Sequence, residues 1–168
     1  TGNVAFFGNG VSVKNVTLDN IHVTATGNPE NQCAGIVSSD ANTNIENVIV
    51  KNSSVVGGKY TGAIVGYNYG SITNCTVLNC TVSGQYKVGG VVGYICNSNN
   101  GETCVTGNKL TNVNVKAENV LTGKTAIIGK FVGNWNATVG TCNDNIFSGT
   151  TEAINNIGKT ESGCTVTE

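Results

Sequence analysis

Asparagine returns at two fixed places in a segment that occurs four times, and this most constrains the fold. The copies run Val13 to Val23, Ile45 to Val55, Ile72 to Val82 and Val105 to Val115. With the first residue counted as zero, column seven is Asn20, Asn52, Asn79 and Asn112. Column two is Asn15, Asn47, Asn74 and Gly107. Asn and Gly exchange where the backbone must take positive φ, because both tolerate the left-handed region. Such corners, repeated in register, predict a chain that turns at the same point in every copy and stacks on itself.

The apolar positions agree. Column three is Val16, Val48, Cys75 and Asn108, and column five is Leu18, Val50, Val77 and Leu110. Column eight is Ile21, Ser53, Cys80 and Val113, and column ten is Val23, Val55, Val82 and Val115. Steps of two are strand alternation. Steps of three insert one residue, which turns the chain while the next side chain stays inward. Asn108 is the exception, since an inward amide needs partners.

A second, shorter segment precedes these. It reads Ala5-Phe6-Phe7-Gly8, Gly35-Ile36-Val37-Ser38, Ala63-Ile64-Val65-Gly66, Gly90-Val91-Val92-Gly93 and Lys130-Phe131-Val132-Gly133. We read each as a buried strand ending at a small residue, with successive ends 30, 28, 27 and 40 residues apart. The whole predicts an all-β fold, a right-handed, three-faced parallel β-helix of about five coils. A β-sandwich is the weaker alternative, because sandwiches do not repeat their corner residues in register. One solenoid domain over residues 1–168 is expected, a piece of a longer secreted or surface protein, degrading into a terminal coil over about 134–168. A fifth copy is sought at Ile154 to Ile157, after an insert holding Trp135 and Cys142.

Composition narrows the function. Nine Lys against ten acids, with no Arg, leave a net charge of -1 and no basic footprint for nucleic acid. No apolar run is long enough to span a membrane, so membrane insertion is not expected. Seven Cys point to an oxidising compartment, outside the cell or at its surface, and the odd number leaves at least one thiol over. Cys96 with Cys104 is the expected disulfide around the fourth-copy insert, and Cys142 with Cys164 a second. Cys75 and Cys80 fall in inward columns and read as small buried hydrophobes.

Gly62-Ala63-Ile64-Val65-Gly66-Tyr67-Asn68-Tyr69-Gly70 and Gly89-Gly90-Val91-Val92-Gly93-Tyr94 resemble the GLUG-motif repeat over about residues 61–94. That family occurs in large bacterial cell-surface and secreted proteins, adhesin-like and peptidase-associated ones among them. Other copies depart from it, with Ser38 in place of the closing Gly and Asn134 in place of the Tyr. The resemblance implies architecture and a surface location. It brings no catalytic residues.

The remaining chemistry is thin. Asp19 and Glu46 occupy different columns and do not form the converging pair a glycosidase needs. Asp40 to Asn44 resembles the opening of a calcium loop, but Ile45 and Lys51 stand where its Gly and its final acid belong. His22 is the only His and sits in an outward column. No cofactor and no metal are expected. Tyr67, Tyr69, Tyr94 and Trp135 form a candidate aromatic stripe, either a binding surface or a structural ladder. The expectation is a non-enzymatic structural or adhesive module of a bacterial surface or secreted protein. Its partners would be a glycan, a host or cell-surface protein, and neighbouring domains. The alternative is a carbohydrate-active β-helix enzyme, a polysaccharide lyase or hydrolase.

Overall fold

The computed structural model describes residues 2–41, 44–97, 103–151, 153, 155–163 and 165–167. Val13 pairs with Ile45, Ile45 with Ile72 and Ile72 with Val105, so each rung lies one coil beyond the last. Every strand ladder among the described residues is parallel, in four stacked sheets. The chain is a parallel β-helix, and the sandwich is excluded.

Columns zero, five and ten are buried in all four copies, from Val13, Leu18 and Val23 through Val105, Leu110 and Val115. Columns three and eight are buried too, except at Val16 and Ile21 of the first coil, which are half-covered. The corners take the predicted left-handed conformation. Asn15, Asn47 and Asn74 have φ of 57°, 53° and 54°, and Asn20, Asn52, Asn79 and Asn112 lie between 50° and 59°. Gly107 follows at 68°. The corner amides also bond along the axis. Asn47 donates to Asn15 at 2.7 Å, Asn79 to Asn52 at 3.2 Å and Asn112 to Asn79 at 2.9 Å.

The inward Asn108 finds its partners in the coils on either side. Its Oδ1 accepts the Cys75 N–H at 3.0 Å, and its Nδ2 donates to the Ile72 carbonyl at 3.1 Å. Asn145 repeats the pattern one coil on, accepting the Asn108 N–H at 2.9 Å and donating to the Val105 carbonyl at 2.7 Å. Column eight uses smaller groups for a similar task. Ser53 accepts the Ile21 N–H and donates to the Lys51 carbonyl, and the Cys80 thiol reaches the Leu78 carbonyl at 3.2 Å. Strand pairing breaks at the corners, and these side chains satisfy the backbone left over.

Three expectations are corrected. A coil has five short strands, not three. In the third coil they are Tyr60–Gly62, Val65–Asn68, Ile72–Thr73, Thr76–Leu78 and Thr81–Gly84. The supposed Gly-terminated strand is a corner, with Ala63 and Ile64 bending the chain between the first two strands. Gly62 permits it: a Cβ there would lie 2.4 Å from the Val65 carbonyl oxygen. The second copy also shifts by one, since Ser38 pairs with Val65 and Asp40 with Tyr67. Ser39, not Ser38, therefore stands at the level of Gly66.

The third correction concerns the C-terminal coil. Val132–Asn136 and Val139–Thr141 pair with the preceding coil as ordinary rungs. Ile146–Thr151 pairs with Lys109–Ala117, placing Phe147 beside Leu110, and Asp144 takes the corner at φ 54°. The register slips between Thr111 and Val113, where this copy lacks a counterpart of Asn112. Ile157–Thr160 and Thr165–Thr167 add a further partial rung. Ile154 lies outside the described residues. Among the described residues, no helix is long and apolar enough to cross a membrane.

Candidate functional site

The outward side of one corner carries four of the chain's five tyrosines. Parallel pairing sets Tyr67 beside Tyr94, and their rings stack 5.1 Å apart and 5° from parallel. Tyr60 approaches from the adjoining short strand, stacking on Tyr94 at 4.9 Å and on Tyr67 at 5.4 Å. Tyr69 meets Tyr67 edge-on at 4.7 Å. Such contacts are worth about 0.5–1.5 kcal/mol each beyond the area they bury. Burial raises the phenol pKa values of Tyr60, Tyr67 and Tyr94, so the stack stays neutral.

Glycine makes this crowding possible. A Cβ on Gly93 would lie 2.3 Å from the Thr61 amide nitrogen, and one on Gly66 2.6 Å from that of Ala34. The two strands of the corner can therefore lie backbone against backbone. The tyrosines at residues 60, 67 and 94 are held together by that approach.

Lys87 stands two residues before its corner glycine, as Tyr60 does, and pairs with Tyr60 in register. Its ammonium lies 4.1 Å from the Tyr94 ring centroid and 5.5 Å from those of Tyr60 and Tyr86. Only 8% of the residue is exposed. Burial pulls the Lys87 pKa down to about 8, against the pull of Glu161, whose Oε1 is 4.0 Å away. Glu161 is itself held ionised, chiefly by Lys159 at 2.7 Å.

Of the residues expected in the stripe, Tyr67, Tyr69 and Tyr94 come together and Trp135 does not. Register places Asn134 beside Tyr94 and puts Trp135 in the inward Ile95 column. Trp135 is fully buried, with Nε1 donating to the Ala137 carbonyl at 3.0 Å. Tyr60 and Lys87 were missed. Their signal is the recurring pair Thr61-Gly62 and Val88-Gly89, which ends a short strand just before each corner.

The expected Cys96–Cys104 bridge is not formed: both are free thiols. Cys96 ends the strand Val92–Cys96 on the Tyr94 side and accepts the Tyr67 hydroxyl at 3.4 Å. Cys104, between buried Thr103 and Val105, turns outward on a different sheet and meets Thr141 Oγ1 at 3.5 Å. Strand alternation turns the two sulfurs onto separate faces. Cys142 is buried at column zero of the fifth coil, and Cys164 lies outside the described residues. So do Asn42 and Thr43 of the calcium-loop candidate. His22 is exposed, bonded to Ser54 Oγ and Asn20 Oδ1.

Residues 57–85 match the family model described as the GLUG motif. The match spans one coil, from the approach to Tyr60 to the end of the strand Thr81–Gly84. No curated protein and no solved structure matches the chain.

Proposed function

From a chain that carries the GLUG-motif repeat, we infer a rigid, non-enzymatic module of a secreted or surface-anchored bacterial protein. Its task is to hold neighbouring domains at a fixed separation and to offer one adhesive face, to a glycan or to a host or cell-surface protein. The observation that carries this reading is the tyrosine corner. Tyr60, Tyr67 and Tyr94 spend their ring faces on one another, so they brace the solenoid first and offer a partner only edges, hydroxyls and the Tyr69 ring. That suits a stiff scaffold with a shallow contact surface better than a sugar platform of open ring faces.

The test uses the purified chain on arrays of glycans and host surface proteins, beside a Tyr69→Ala variant whose circular dichroism matches the parent. Binding that drops at least tenfold in the variant supports the adhesive face. Binding that ignores the substitution removes this face from the reading. Release of new reducing ends from any polysaccharide would overturn the non-enzymatic reading in favour of a β-helix lyase or hydrolase.

A further inference from the structure

We propose that Lys87 and Asn134 become joined by an isopeptide bond between neighbouring coils, with Glu161 carrying the proton. The three groups come from separate parts of the fold. Lys87 opens the strand Lys87–Gly89, Asn134 lies in Val132–Asn136, and Glu161 follows Ile157–Thr160. The Lys87 ammonium sits over Tyr94, and Tyr94 is the register partner of Asn134. Lys87 Nζ is 4.0 Å from Glu161 Oε1, and the Asn134 side chain lies close enough to that carboxylate to help hold it ionised. Amine and amide thus converge on one carboxylate.

The amide is unusual in itself. Asn134 is fully buried, and its Nδ2 donates to the Lys159 carbonyl at 3.0 Å. Its Oδ1 has no donor among the described residues. A buried carbonyl without a donor is costly and uncommon. Asn134 is wholly covered and the Lys87 ammonium lies against the Tyr94 ring, so water competes poorly for the carbonyl carbon.

The step balances without a co-reactant. The Lys87 amine adds its lone pair to Asn134 Cγ while Glu161 takes one Nζ proton. The Cγ–Nδ2 bond then breaks as Nδ2 accepts that proton and leaves as ammonia. One C–N bond forms, one breaks, and no oxidant is needed. Burial supplies the neutral amine: with a pKa near 8, about a tenth of it is unprotonated at neutral pH. Lys159 keeps Glu161 ionised, the state a proton acceptor needs.

Intact-mass spectrometry of the folded, reduced full chain decides the matter. The expected mass is one ammonia, about 17 Da, below that of the sequence, with a branched proteolytic peptide linking Lys87 to Asn134. Lys87→Arg and Asn134→Ala should each restore the full mass, and Glu161→Gln should slow the loss at least tenfold. A parent chain at full sequence mass after prolonged incubation in the folded state overturns the proposal whether or not any variant folds. So does a deficit that persists in Lys87→Arg, which would trace the ammonia to another asparagine. A deficit that forms at parental rate in Glu161→Gln removes Glu161 from the reaction.

Discussion

At the scale of single residues, two kinds of polar group sit inside this solenoid and each has a measurable consequence. Asn108 and Asn145 together bond to the backbone of Cys75, Ile72, Asn108 and Val105. Asn108→Val should cost about 2–3 kcal/mol in urea unfolding, because it strands the Cys75 N–H and the Ile72 carbonyl. Adding Asn145→Val should cost less than the sum of the two single changes, since the amides also bond each other at 3.0 Å. Additive losses would mean that the ladder is not a unit. The buried thiol of Cys75 acts through pH. Burial pushes its pKa up to about 11, against 9.0 for an unburied thiol. Below pH 9 its contribution is complete. Between pH 9 and 11 the unfolded thiol ionises while the folded one does not, so stability falls, by about 2–3 kcal/mol at most. Unfolding of a Cys75→Val chain, which takes the residue of Val48, should lose that much less over this window. Parallel curves for the two chains would contradict the assignment.

At the scale of elements, the decisive unit is the corner between Tyr60–Gly62 and Val65–Asn68 and its repeats. Gly62 and Gly93 allow two backbones to meet where any side chain would collide. Gly93→Ala should lose about 3 kcal/mol or more, with near-ultraviolet circular dichroism of the tyrosines diminished. An unchanged tyrosine signal would show that the corner can open without disturbing the stack. This element also marks the limit of what could be read in advance. The Asn corners were legible because the φ preference of Asn and Gly is local and travels with the residue. The inward columns were legible because alternation within a strand is strict. Gly-aliphatic-aliphatic-Gly was not, because two buried aliphatics between glycines read alike as strand and as bend. The one-residue error at Ser38 followed from this, and the short strands that carry Tyr60 and Lys87 fell outside the recognised repeat. Trp135 entered the stripe as an aromatic one residue displaced, although Asn134 already stood in the tyrosine's place. Cysteine spacing likewise suggested a loop closure but carries no direction, and direction is what separates Cys96 from Cys104.

At the scale of the whole molecule, each coil touches only its neighbours, so stability is a sum of coils and the interfaces between them. The central coils bury their columns completely, while Val16 and Ile21 of the first coil and Phe147 of the fifth are only half-buried. Amide exchange should therefore be slowest in Thr76–Leu78, Val65–Asn68 and Val92–Cys96. It should be fastest toward Val4 at one end and Thr165–Thr167 at the other, with rates graded between. A single exchange rate across all coils would instead indicate one cooperative unit. Complementary charges follow the same axial logic, as Lys14 meets Glu46 at 2.8 Å and Lys51 meets Asp19 at 3.1 Å. Exposed pairs like these add little stability, about 0–1 kcal/mol. They favour correct neighbours over wrong ones.

The pairing of like with like between the third and fourth coils has a consequence for how such a chain changes over generations. Val65 and its partner Val92 stand 27 residues apart, and so do Tyr60 and Lys87. A tandem copy of 27 codons, starting anywhere within that interval, would lengthen the protein by one full turn and leave each existing side chain beside a familiar neighbour. Inside the run from Val13 to Val23 and its copies, one added residue would move every later side chain of that run off its column, whereas the segments between runs differ in length from coil to coil and absorb extra residues. Replication slippage in the gene is thus sorted by geometry: whole turns and changes in the connecting segments pass, and fractions that fall inside a run fail at the first asparagine corner they reach.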